Sequence, residues 1–182
     1  MKAVLISIQP KWCELIASGK KTVEVRKTEP KLEAPFKVYI YCTHSNGTLI
    51  QRKGNKFLGY TETSICGKVI GEFVCRNIDE YDYDQAFDES MGCFIDKFGY
   101  DITSYELGQT CLTYEEFENY GNTQRLYGWH ISDLVIYDKP KNLSEFCSYN
   151  VKAYIDESGY PMPTHEIKRP PQSWCYVEER KE

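Results

Sequence analysis

The densest run of chemically capable residues is Gly19-Lys20-Lys21-Thr22-Val23-Glu24-Val25-Arg26-Lys27. A guanidinium grips phosphate or carboxylate through two parallel hydrogen bonds, lysines add point charge, and a carboxylate accepts from a base or a ribose hydroxyl. Val23 and Val25 alternate with Thr22, Glu24 and Arg26, so the run reads as a strand with Glu24 and Arg26 on one face, about 6–7 Å apart. At that spacing the two organise each other or share a ligand. Lys20 and Lys21 at the strand's start and Lys27 after its end form a cationic rim. The same alternation also fits an exposed charge ladder. Lys21 and Glu24 are in addition equipped for general acid–base work on a bound water.

Other residues stand near this run. Trp12 sits on the preceding helical segment, where it either stacks a base or fills the core. Tyr41 and His44 end a later strand and are further ligand contacts, with His44 also a possible general base. Arg52, Lys53 and Lys56 mark a basic turn. His130, between Trp129 and Ile131, points away from both, toward a cleft or toward solvent. Glu106 is a spare carboxylate in an acidic stretch, and His165 stands alone among prolines. The three histidines and eight cysteines have no metal-ligand spacing, with no C-x-x-C and no closer cysteine pair than nine residues. There is no glycine-rich phosphate loop and no nucleophile elbow, so neither a metal nor another cofactor is expected.

The elements that must position these residues can be read from period and punctuation. Ala3–Ile8 is an apolar run, hence a buried strand, and Pro10 then suits the first turn of a helix with Trp12, Leu15 and Ile16 on one face. Gly19 is placed to end that helix in a left-handed cap. Strand, helix and strand thus occupy the first 27 residues. Phe36–Thr43 reads as a strand, Ser45-Asn46-Gly47-Thr48 as a hairpin turn, and 52–56 as a second turn. Ser64–Cys75 is a strand bent at Gly67 and Gly71. Thr113-x-x-Glu116 is a capping box that predicts a helix over Tyr114–Tyr120, stopped by Gly121. Leu126–Tyr137 holds one or two strands, Pro140–Cys147 a helical turn, and Pro170–Val177 the last strand. Many short strands with few helices predict a small barrel carrying an acidic, aromatic insertion at about 79–120.

Composition narrows the classes. A chain of 182 residues with 41% hydrophobic and 27% charged residues can bury a core of its own, which excludes a disordered or collagen-like polymer. The N-terminal apolar run is too short for a secretory signal, and no stretch approaches the ~20 apolar residues of a spanning helix. A cytoplasmic protein with no membrane association and reduced, largely buried thiols is expected. The net charge of −5 conceals an asymmetry: residues 1–60 carry 11 Lys/Arg against 4 Asp/Glu, whereas 72–120 carry 13 acids against Arg76 and Lys97. A uniform coat for nucleic acid is excluded, but a local anion-binding face in the basic third is not.

The order Gly19-x-Lys21-x-x-Glu24-x-Arg26, preceded by Ser7-Ile8-Gln9-Pro10-Lys11-Trp12, resembles the G-x-K-x-x-E-x-R signature of ASCH domains, which are similar in fold to the RNA-binding PUA domain. The strand around Trp129-His130-Ile131 fits in order. The resemblance covers 1–43 well and the strands near 64–76 and 126–137 loosely, but not 79–110 or the tail after about 145. It implies an α+β fold: a mostly antiparallel PUA-like β-barrel with a few short flanking helices, one domain over 1–182. Its cleft would bind RNA or a nucleotide-like ligand through Lys21, Glu24 and Arg26. Some ASCH relatives hydrolyse acylated pyrimidine nucleosides with a lysine and a threonine two residues before the motif arginine. Here that position is Glu24, so the threonine is missing, while Lys21 remains. A nuclease activity is also associated with the family. A third expectation, from composition, is a protein partner for the tyrosine-rich 79–120 segment.

Overall fold

A computed structural model describes residues 3–44, 65–88, 93–148 and 165–179. Strand β1 (Ala3–Ile8) is buried along its whole length. Its two faces feed two cores. Val4, Ile6 and Ile8 join Val38, Ile40, Phe73 and Trp129 on one side, while Ala3 and Leu5 join Tyr39, Tyr41, Phe146 and Val177 on the other. Helix α1 (Pro10–Ala17) begins with Pro10 in its first turn. The carbonyl of Gln9 receives the Trp12 and Cys13 amides, both at 3.0 Å.

The end of α1 aims the next segment. Gly19 has φ 73°, its amide donates to Ile16 O at 2.9 Å, and the Lys20 amide donates to Leu15 O at 3.0 Å. These two bonds make a Schellman turn, which reverses the chain with a residue in the left-handed region. Strand β2 (Val23–Arg26) follows at once.

Strand β3 (Phe36–Cys42) runs parallel to β1, with Ala3 opposite Lys37 and Ile8 opposite Cys42. Strands β4 (Lys68–Tyr81) and β7 (Leu126–Lys141) are long antiparallel partners with three register shifts between them. One shift is at Gly71, where an added Cβ would meet the Val135 carbonyl at 2.4 Å. The bend expected at Gly71 is therefore a place where two backbones approach closely.

The acidic segment holds more structure than expected. After β4 come the paired strands β5 (Tyr83–Asp88) and β6 (Cys93–Tyr100). Helices α2 (Ser104–Thr110) and α3 (Tyr114–Gly121) follow. Both open with a capping box, Thr103/Glu106 and Thr113/Glu116. Gly121 does not stop α3 but is its last residue; the left-handed cap is Asn122. A third core of Val25, Tyr81, Tyr100, Phe117 and Leu126 fastens the segment to the sheet, with Phe117 edge-on to Tyr81 and Tyr100.

The described residues after 145 contribute three strands to the sheet. Strands β8 (Phe146–Ser148), β9 (His165–Glu166) and β10 (Trp174–Glu179) extend it beyond β1. A single 3-10 turn at Leu143–Glu145 stands where a helical turn was expected. The two turns expected at 45–48 and 52–56, with Arg52, Lys53 and Lys56, lie outside the described residues.

Among the described residues the fold is mixed α+β and its pairing is antiparallel except for β1 with β3, and the expected barrel is not closed. The eight strands run β2-β7-β4-β3-β1-β10-β8-β9 and the sheet is open. In a flat sheet β2 and β1 would lie about 19 Å apart, at about 4.8 Å per strand step. Instead the Arg26 guanidinium on β2 reaches the Ser7 carbonyl on β1 at 2.7 Å. The sheet curls until a side chain, rather than a backbone ladder, spans the gap. The main chain entering β2 is bonded elsewhere: the Thr22 amide donates to Gln109 O of α2 at 3.0 Å.

Candidate functional site

A cleft of about 730 Å³ opens where β2 fails to pair with β1. Its floor carries Lys21, Glu24 and Arg26, and Ser7, Ile8, Gln9 and Trp12 line one side. Leu112, Glu116, Asn119 and Tyr120 from the acidic segment form a second wall, and Pro170, Pro171 and Gln172 a third.

The floor is a buried ion network. Lys21 is only 3% exposed and Glu24 5%, which excludes the exposed charge ladder. Arg26 Nη2 lies 3.0 Å from Glu24 Oε1, and Lys21 Nζ lies 3.4 Å from Glu24 Oε2. Lys21 Nζ also donates to the Thr110 carbonyl at 2.6 Å. That carbonyl is the last of α2, where helix carbonyls lack intrahelical partners and the macrodipole is negative. A lysine there satisfies the helix end and anchors α2 beside β2. Arg26 Nε is buried without a hydrogen-bond partner. Two cations against one carboxylate leave the floor with one excess positive charge, which suits an anion.

The rim adds aromatic and charged groups. Trp12 packs against the core and also lines the cleft. Lys11 Nζ lies 4.2 Å and Lys21 Nζ 5.2 Å from the Trp12 ring centre, and Lys27 Nζ lies 5.4 Å from that of Tyr120. Glu116 faces Lys11 at 3.7 Å. The Thr113 amide, bonded to the Glu116 carboxylate, holds it below the ordinary carboxylate range, with the Lys11 charge contributing.

The remaining expected residues are dispersed. Lys20 is exposed and is not among the lining residues. Tyr41 is 4% exposed in the second core, because its strand position turns it to the sheet face opposite Ile40. Burial pushes its hydroxyl above the usual tyrosine value. His44 lies outside the lining, packed over Gly67 so closely that a Cβ there would meet its Nε2 at 2.4 Å. Glu106 accepts the Thr103 amide at 2.8 Å and is taken up by its capping box. His130 faces Asp79 at 2.5 Å across β4 and β7, away from the cleft. His165 is exposed on the short edge strand β9. Among the described residues no group of three His, Cys, Asp or Glu could hold a metal ion, and no helix is long and apolar enough to cross a membrane.

Sequence reasoning missed Thr43, Thr110, Leu112, Asn119, Tyr120, Pro171 and Gln172. One signal was available: Glu116, Asn119 and Tyr120 share a helix face at i, i+3 and i+4, beside the stripe of the core residue Phe117. The proline wall had none. Ser7 fastens it: its Oγ donates to Pro171 O at 2.7 Å and its amide donates to Ser173 O at 2.9 Å.

Comparison with known proteins bears on family and fold. The family described as ASCH domain matches residues 6–155, running through the acidic segment. No curated protein matches the chain. Among solved structures, ASCH from Zymomonas mobilis is similar with a TM-score of 0.50 and 18% identity over 97% of this chain and 87% of that one. A tyrosine-to-phenylalanine mutant of the Zymomonas mobilis protein gives 0.50 and 18% over 98% and 91%. A serine-to-alanine mutant gives 0.50 and 17% over 97% and 88%. At these identities the likeness is one of fold.

Proposed function

Because the chain belongs to the ASCH domain family and shares its fold with solved ASCH structures, we propose that the cleft binds a nucleotide or a single-stranded RNA segment. The observation that carries this reading is the buried Lys21–Glu24–Arg26 network on the floor of a cleft of about 730 Å³. That volume lies within the range of small-ligand sites, ~300–1,000 Å³. Arg26 presents guanidinium donors to a phosphate, Glu24 accepts from a hydroxyl or base amine, and Trp12 and Tyr120 offer stacking faces. A duplex would need a broad cationic surface, whereas the segment 72–120, which supplies one wall of the cleft, carries 13 acids against two basic residues.

Titration of nucleoside monophosphates, the matching nucleosides and a short oligoribonucleotide at low salt tests the reading. Phosphate-dependent binding, weakened in Arg26→Ala, is expected. Equal affinity of the two proteins, or no binding by either, overturns it.

A second reading is favoured by the 3.4 Å Lys21–Glu24 contact inside the cleft. The pair would act as acid and base in hydrolysis of an acylated nucleoside or of RNA. Lys21-dependent product formation is the required result, and its absence removes this reading. Recognition of a protein by the acidic segment rests on Tyr105, 77% exposed; loss of a partner in Tyr105→Ser is its test.

A further inference from the structure

Three thiols meet at the end of β3, beside the cleft but outside it. Cys42 Sγ lies 4.0 Å from Cys66 Sγ, and Cys13 of α1 faces Cys42 from the core side. Cys13 and Cys42 are buried and Cys66 is partly exposed, and none of the three is in a disulfide. The backbones of the two nearer segments are already joined, since the Gly67 amide donates to Cys42 O at 2.7 Å. Cys42 also pairs with Lys68 in the β3–β4 register. From 4.0 Å, closing the sulfurs to about 2.05 Å takes a movement of about 2 Å.

We propose that Cys42 and Cys66 form a dithiol site that hydrogen peroxide oxidises to a disulfide. Cys66, the partly exposed member, meets the oxidant. Its thiolate sulfur takes one peroxide oxygen, breaking the O–O bond, and becomes a sulfenic acid while the other oxygen leaves as hydroxide. The Cys42 thiolate then attacks that sulfur and displaces its oxygen as a second hydroxide, forming the S–S bond. With the two protons first lost from the thiols, one peroxide yields two waters, and two sulfurs are oxidised as two oxygens are reduced.

The surroundings assign the roles. Hydrogen bonds from Cys13 and Cys66 favour the Cys42 thiolate over its ordinary acidity, against the opposing effect of burial. Burial, together with its contact to Cys42, pushes the Cys13 thiol well up, so it stays protonated and serves as donor. The single Cys13 S–H alternatively donates to the Ile8 carbonyl, at 3.5 Å. The next residue after Cys42, Thr43, lines the cleft, so the bond would tie the strand end that carries a cleft wall to the turn at Gly67.

The test is peroxide titration of the folded protein, read by intact mass, alkylation of remaining thiols and peptide mapping. Loss of two thiols with a Cys42–Cys66 linked peptide is expected in wild type and in Cys13→Ser. In Cys66→Ser, altered at the partly exposed position and therefore the variant best suited to folding, the linked peptide is absent. Unchanged thiol content, a Cys13–Cys42 link, or accumulation of a higher oxide at Cys66 without the link overturns the proposal.

Discussion

The ammonium of Lys21 donates to the main-chain carbonyl of Thr110 at 2.6 Å, joining residues 89 apart in sequence. One side chain thus closes the C-terminal end of α2, balances Glu24 and lies on the cleft floor. Replacing it by methionine keeps its length and removes its charge. Glu24 and the helix carbonyl then lose a buried partner. Breaking a buried pair on one side costs about 3–5 kcal/mol, so urea unfolding of Lys21→Met should show a loss of that order. Lys21→Met combined with Glu24→Met should recover part of it.

Arg26 acts through geometry as much as charge, since one guanidinium touches Glu24 Oε1 and Ser7 O. Both contacts come from Nη2, and a lysine, with one nitrogen, cannot hold them and still offer a ligand the further donors of a guanidinium. Arg26→Lys should therefore bind phosphorylated ligands roughly 10-fold to 100-fold more weakly, as expected for a charged hydrogen bond worth about 1.5–3 kcal/mol. Calorimetric titration checks this. Affinity within twofold of wild type would remove Arg26 from the binding site.

Phe117 is fully buried between Tyr81 and Tyr100, with ring centres 5.5 and 5.2 Å away. It ties α3, and with it the wall of Glu116, Asn119 and Tyr120, to the sheet. Phe117→Ala should destabilise the fold by about 3–5 kcal/mol, visible as a lowered thermal midpoint.

Gly71→Ala places a Cβ 2.4 Å from the Val135 carbonyl, a backbone atom that no rotamer change can move. Overpacking of this kind costs typically ~1–3 kcal/mol. Chemical denaturation should show that loss, and unchanged stability would mean that β4 and β7 part more readily at the bulge than their pairing indicates.

Glu72 supplies a pH dependence. Burial opposes its ionisation, but hydrogen bonds from Lys37 and Tyr137 and the charges of Lys37 and Lys141 prevail and hold it below the ordinary value of 4.5. A carboxyl lowered by folding stabilises the folded state in full above its ordinary value, and that contribution fades as pH falls through the lower folded value. Stability should thus decline with acid below about pH 4.5, and Glu72→Gln should make that decline shallower. A parallel decline in both proteins would assign the acid sensitivity to other carboxylates.

Local pattern was enough for much of this molecule. The apolar run 3–8, Pro10, Gly19 and the alternation 22–26 define strand, helix, turn and strand because each depends on neighbours within one turn or one pleat. The motif Gly19-x-Lys21-x-x-Glu24-x-Arg26 was legible for the same reason, and it named the floor of the cleft. The second capping box, Thr103-x-x-Glu106, was equally available and identifies α2. Tertiary structure alone decided the rest. Burial of Lys21 and Glu24 depends on a helix carbonyl 89 residues away, and the proline wall depends on a hydroxyl 164 residues away. Tyr41 and Arg26 show the limit most clearly. Alternation places each on one face of its strand, but which face becomes core and which becomes cleft is set by how far the open sheet curls. That curl is the sum of many long-range pairings and bulges, and no short stretch of sequence contains it.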